Sequence, residues 1–340
     1  LLGVAAFMLA LSAHAQDNPL WMRYCAISPD GTSIAFTYKG DIYTVPVNGG
    51  KAAQITTNAA HDTHPVWSPD GKQIAFASDR MGSMDIFVVD REGGIPKRLT
   101  THSGNETPVA FKDADHILFL ANVMPSAEDA QFPSGQFQQV YEVSTTGDRP
   151  VMFSSMPMED ISINKTGNAL LYHDKKGYED PWRKHHTSSI TRDIWLCSLD
   201  GKRSYRKLTS FNGEDRTPVW ASDGKSFYYL SEEKGSFNVF KRALDGTSST
   251  QLTHHTKHPV RFLTAADNGT LCYGYDGEIY TMKEGTEPRK VQISILTDKN
   301  DKDLIRQIRR NGATEIALSP DAKEVAFILR GDVYVTSVEY

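Results

Sequence analysis

Histidine is the residue type whose spacing most invites chemistry in this sequence. His61 and His64, His185 and His186, and His254, His255 and His258 fall in short groups. Such spacings can bring imidazoles together, as a metal site needs. No cysteine or carboxylate completes any group at ligand spacing, so the reading is solvated loop histidines, with no metal and no other cofactor. Paired acids occur at Glu159-Asp160 and Glu232-Glu233. General acid–base work needs carboxyl groups converging in a cleft, and these pairs read instead as solvated turns. A Gly-x-Ser-x-Gly nucleophile elbow is absent from the sequence, as is a glycine-rich phosphate loop before a helix. No catalytic residue is therefore expected in the chain. The most unusual stretch is Asp180-Pro181-Trp182-Arg183-Lys184-His185-His186-Thr187. Trp and Arg are enriched where proteins bind partners. Trp182, Arg183, Lys184, His185 and His186 are the candidate contacts for a peptide or a neighbouring domain. The competing reading packs this insertion onto its own sheet, with Trp182 filling a surface groove.

The elements that must position these residues come from a repeat. Ser28-Pro29-Asp30-Gly31 is followed by Ile34-Ala35-Phe36, Asp41-Ile42-Tyr43 and Gln54-Ile55-Thr56. The series returns as Trp67-Ser68-Pro69-Asp70-Gly71, Ile74-Ala75-Phe76, Asp85-Ile86-Phe87 and Arg98-Leu99-Thr100. Weaker copies centre on Ile117-Leu118-Phe119, Leu170-Leu171-Tyr172, Phe227-Tyr228-Tyr229 and Leu271-Cys272-Tyr273, and a seventh opens at Ser319-Pro320-Asp321. In each turn Pro presets φ, Asp bonds nearby backbone and Gly takes a positive φ. The apolar runs between turns are too short and too β-rich for helices. Four antiparallel strands per period of about 40–45 residues describe a propeller blade.

The expected fold is all-β. It is a six-bladed β-propeller of four-stranded antiparallel blades over 16–297, a polar connector over 298–312, and the first strands of a second propeller over 313–340. The seventh repeat lacks its Leu-Thr element, so the natural chain is expected to continue past Tyr340. Insertions at 122–139 and 174–192 belong to loops at an end of the ring. The inner strands read Pro65-Val66-Trp67, Pro108-Val109-Ala110 and Pro218-Val219-Trp220, which predicts an axis poor in acid–base groups.

The net charge of −5 over 340 residues gives no basic face for nucleic acid or an anionic membrane. Residues 1–15 form an apolar run ending in Ala13-His14-Ala15, a small-x-small cleavage pattern. The run reads as a signal peptide clipped at its start and is short for a bilayer span. Gln16 stands where a lipoprotein needs Cys. The expectation is an exported protein of the periplasm or cell envelope, soluble after cleavage. Cys25, Cys197 and Cys272 lack metal or redox spacing and read as small buried strand residues.

The Trp-Ser-Pro-Asp-Gly-Lys signature at 67–72, followed by Ile74-Ala75-Phe76, resembles TolB-type and tricorn-type propeller repeats. Three longer stretches are more specific: Asn18-Pro19-Leu20-Trp21-Met22-Arg23-Tyr24, the Asp180-Pro181-Trp182 insertion through Ser189, and Asn311-Gly312-Ala313-Thr314-Glu315-Ile316 through Asp321. In this order they resemble the N-terminal part of exported bacterial tricorn-protease homologues. The resemblance implies the non-catalytic propeller region of a serine peptidase, gating peptide passage and scaffolding a downstream core. The Ser, His and Glu of that core would lie beyond Tyr340. Implied partners are peptides or unfolded polypeptide, downstream PDZ-like and peptidase domains of the same protein, and further copies of the chain. In archaeal relatives two adjacent arginines of the first propeller grip the substrate carboxylate. The one Arg-Arg pair here, Arg309-Arg310, lies in the expected connector, so that role is not carried over. The alternative function is a free-standing TolB-like protein-binding propeller in the cell envelope. A third is a propeller enzyme working in its own axis.

Overall fold

A computed structural model describes residues 19–122, 137–178, 180, 182, 188–296 and 310–339. The expected signal peptide lies outside the described residues, as does most of the expected connector. Among the described residues the chain is all-β, with seven sheets and no helix.

Six sheets share one plan of four antiparallel strands in chain order, over 23–54, 62–98, 106–154, 158–207, 215–251 and 261–290. The first strands of successive sheets touch one another, and the first strand of the sixth touches that of the first. The sheets therefore close into a ring with those strands innermost. Each neighbouring pair shares its own apolar core. Ile74 and Phe76 meet Ala35 and Ile42, for example, and Phe227 and Tyr229 meet Leu171 and Ile194. The seam is no different, because Ile34 and Phe36 of the first sheet pack with Cys272 and Ile279 of the sixth. Burying one such side chain is worth about 1.5–3 kcal/mol.

The repeated residues have assignable work. The aromatic of each second strand lies directly opposite an aromatic of the third: Phe36 and Tyr43, Phe76 and Phe87, Phe119 and Tyr141, Tyr229 and Phe240, Tyr273 and Tyr280. Their ring centroids lie 5.7–5.9 Å apart, the spacing at which such cross-strand pairs attract. The Thr closing four of the six repeats accepts an amide of the third strand, as from Ile42 to Thr56 and from Ile86 to Thr100, both at 2.9 Å. Trp67 and Trp220 each donate an indole N–H to the preceding sheet, at Ala26 O and Ser162 O, both 2.9 Å. In the Ser-Pro-Asp-Gly turn, Ser68 Oγ donates to Asp70 Oδ1 at 2.7 Å and accepts from Gln73 N at 2.9 Å.

Arg289–Lys290 is the fourth strand of the sixth sheet, and Ile293–Ile295 runs parallel to Gly50–Gln54 on the outer edge of the first. Three residues are too few for a strand pattern to be visible. This added strand ties the two ends of the ring together. The seventh sheet, 313–337, has three strands. It turns at Arg330-Gly331, both at positive φ. Lys39-Gly40 and Asp276-Gly277 repeat that pattern, the two-residue turn that matches strand twist.

Candidate functional site

The inner strands share a local fault. All six lose register with their partners partway along. In five of them a non-glycine residue within the break has φ of 48–56°: Tyr24, His64, Asp160, Thr217 and Phe262. Holding an L-residue there costs roughly 1–2 kcal/mol. A bulge re-aims a side chain, and here it re-aims them towards one another.

Residues from five sheets thus converge at one end of the axis. The Tyr24 ring lies 3.7 Å from His64 and 4.9 Å from Phe262, centroid to centroid. Thr217 Oγ1 donates to Asp160 Oδ2 at 2.6 Å. Trp182 reaches the same place from the fourth sheet's insertion, its ring 6.1 Å from Phe262. The guanidinium groups of Arg23 and Arg261 lie 5.0 and 4.9 Å from the indole, within cation–π range. Arg261 Nη2 also donates to Trp182 O at 2.8 Å. Trp182 therefore packs across the ring, on the first and sixth sheets, and not into a groove of its own sheet. Arg183, Lys184, His185 and His186 lie outside the described residues.

The expectation of an axis poor in titratable groups is corrected by this convergence. Burial pulls His64 down to about 4, against the opposing charge of Asp160, so its ring is neutral at pH 7. Burial also raises the Tyr24 hydroxyl, while Arg23 and Arg261 oppose the rise. Burial lowers Arg261 to about 10, with Arg216 adding to the effect, and the group stays charged at neutral pH. That end of the axis thus holds an aromatic cluster with Arg23, Arg261 and Asp160 beside it.

Several histidines and acids read as solvated are in fact packed. His255 stacks on Tyr275 at 3.8 Å and its Nε2 lies 3.0 Å from Tyr273 Oη. His258 Nε2 lies 3.2 Å from Asp276 Oδ1. Glu159 and Glu232 are not turn residues exposed to water. Glu159 lies in the strand Met158–Ile163 and meets His173, Lys175 and Arg192. Burial pushes Glu159 up, but the hydrogen bond and charge of His173, with Lys175 and Arg192, outweigh it and hold the carboxyl well below its usual range. Glu232 is buried and its Oε1 accepts the Glu214 amide at 2.9 Å.

Thr217, His173 and Glu159 stand in the order of a hydroxyl–imidazole–carboxylate relay. The hydrogen bonds argue otherwise. His173 Nδ1 accepts the Thr217 amide at 3.3 Å, and the Thr217 hydroxyl is given to Asp160. A general base needs a free nitrogen facing the nucleophile, so this set is a structural brace. Among the described residues no group of three His, Cys, Asp or Glu side chains could hold a metal.

Two buried acids add a pH dependence. Burial holds Asp215 and Glu106 up at about 7, and Asp215 Oδ1 has no hydrogen-bond partner. In the unfolded chain both titrate near pH 4. Between about pH 4 and 7 the folded state keeps protons the unfolded state has lost, so stability falls as pH rises through that window. Asp215→Asn is expected to be more stable than wild type by about 1 kcal/mol or more at pH 8, with no gain at pH 4. Urea midpoints at the two pH values measure this, and an equal difference at both would refute it.

The family of the tricorn protease N-terminal β-propeller domain matches residues 19–288. The chain belongs to that family. Tricorn protease homolog 1 of Streptomyces coelicolor is 25% identical over 279 residues, covering 82% of this chain and 25% of that protein. Tricorn protease of Thermoplasma acidophilum is 25% identical over 332 residues, covering 94% and 29%. This tricorn-type chain therefore spans about a quarter of the length of these curated relatives. The crystal structure of the tricorn protease superposes with a TM-score of 0.68 at 21% identity, over 94% of this chain and 30% of that one. TolB from Acinetobacter baumannii has the same kind of fold, with a TM-score of 0.56 at 16% identity over 77% of this chain and 61% of that one.

Sequence reasoning found Trp182, read His64 and Asp160 as solvated, and missed Arg23, Tyr24, Thr217, Arg261 and Phe262. A usable signal was present for two of them. His64 and Thr217 each precede the proline of a Pro-Val-Trp inner strand, at the same place in their repeats.

Proposed function

We propose that this chain is the non-catalytic propeller region of a tricorn-like serine peptidase, gating peptide passage and scaffolding a downstream catalytic core. The observation that carries the reading is the meeting of Tyr24, His64, Phe262 and Trp182 at one end of the axis, flanked by Arg23 and Arg261. The following sheet docks at that same end, where Arg330 Nη2 pairs with Asp79 Oδ1 at 2.9 Å. An aromatic constriction beside a docking point is suited to admitting an extended chain and refusing a folded one. In this reading 16–297 forms the gate, 298–312 connects, and 313–340 begins a second propeller. Residues 1–15 direct export to the periplasm or envelope. The partners are peptides or unfolded polypeptide, PDZ-like and peptidase domains of the same protein, and further copies of it.

The test is a comparison of substrates in the full-length peptidase. Trp182→Ala is expected to speed hydrolysis of a long unfolded polypeptide severalfold while leaving a short fluorogenic peptide nearly unchanged. An unaltered ratio of the two rates would remove the gate. The chain by itself is expected to hydrolyse neither. The TolB-like reading, a free-standing protein-binding propeller, rests on the shared fold. A reading frame that ends near Tyr340 would favour it over the peptidase.

A further inference from the structure

The two ends of the ring are held by several weak contacts. Ile293–Ile295 pairs with the edge of the first sheet, Met22 N donates to Gly277 O at 3.1 Å, and the first and sixth sheets share one apolar core. Two thiols meet inside that core. Cys25 lies on Arg23–Ile27 and Cys272 on Leu271–Tyr275, both buried and both members of that one core. Neighbouring contacts fix the approach from both sides. Cys25 Sγ lies 3.5 Å from Phe262 O, and Ile27 donates its amide to Thr264 Oγ1 at 3.1 Å. Thr264 is in turn the register partner of Cys272. Cys197 belongs to a different core, between the third and fourth sheets.

We propose that Cys25 and Cys272 form a disulfide across the seam when the chain folds in the presence of a disulfide oxidant. The reaction is thiol–disulfide exchange. The two cysteine thiols give up two electrons and two protons to the disulfide of an oxidant such as oxidised glutathione, which departs as two thiols. One S–S bond forms and one breaks. Burial pushes the Cys272 thiol well up, and a buried protonated thiol is inert. Exchange therefore belongs to the stage before the seam closes. The bond would join strands nearly a whole ring apart in sequence, which restricts the unfolded chain and stabilises the folded one.

The experiment is oxidative refolding of the denatured, reduced chain in a glutathione buffer, followed by alkylation and intact mass. The expected result is one alkylated thiol, at Cys197, where the reduced chain carries three. A chain folded first in reductant and oxidised afterwards is expected to keep three free thiols. Cys197→Ser should retain the crosslink, whereas Cys25→Ser and Cys272→Ser should show no intramolecular bond. The wild-type thiol count needs no variant to fold. Three free thiols after oxidative refolding, or a bond that includes Cys197, would overturn the proposal.

Discussion

Glu214→Ala is expected to destabilise the ring by about 3–5 kcal/mol, seen as a lower urea midpoint with an unchanged slope. Glu214 is buried between the fourth and fifth sheets. Its Oε1 accepts from Arg192 Nη1 at 3.0 Å and from Arg216 Nη1 at 3.5 Å. Both arginines are themselves buried. Alanine would leave two guanidinium groups in an apolar interface with less opposing charge, and an unpaired buried charge is what makes such losses large. Arg192 would keep its longer contact with Glu159, at 3.4 Å, and Arg216 its stacking on Phe237 at 4.1 Å. Glu214→Gln keeps the shape and removes the charge, so its loss should be smaller. A loss below about 1 kcal/mol for alanine would place this network with exposed ion pairs, and the brace beneath the axial site would have to be sought elsewhere.

The second large effect is at the seam. Gly49 has φ of +89°, a conformation that costs an L-residue roughly 1–2 kcal/mol. A Cβ there would also lie 2.5 Å from the backbone oxygen of Gln292. That oxygen accepts the Gly50 amide at 2.8 Å, the hydrogen bond that starts the parallel pairing of Ile293–Ile295. Backbone cannot swing aside as a side chain can, so Gly49→Ala should both strain the turn and lift the closing strand. A lower melting temperature and faster amide exchange at Ile293–Ile295 are expected. Gly50→Ala supplies the control. Gly50 has φ of +119° but nothing within 4 Å of a Cβ. It should show the conformational cost without loss of protection in the closing strand. Equal effects of the two substitutions would mean that the approach to Gln292 is unimportant.

The repeat was legible because its determinants are local. Ser68, Asp70 and Gly71 make their turn from residues adjacent in sequence, and Ile74-Ala75-Phe76 declares a strand by composition. The Thr that closes four of the repeats could be recognised as recurrent, although its amide partner could not be named. The strand Ile293–Ile295 was not legible, because its partner is Gly50–Ala52 at the far end of the ring. The candidate site was legible at Trp182 alone, through its unusual neighbours. His64 and Thr217 shared a place before Pro-Val-Trp, but nothing in the sequence said which way that place would face. Each acquires its place only when a break in strand pairing turns it towards the axis.

The amino-acid order alone determined that this protein is a ring of short antiparallel sheets, since turn chemistry and strand composition act over a few residues. Tertiary closure decided which side chains meet. Tyr24, His64 and Phe262 are far apart in sequence and touch because three different sheets stand around one axis. Their direction depends on bulges that only the packed neighbours can hold in place, so no local stretch of sequence could carry that information.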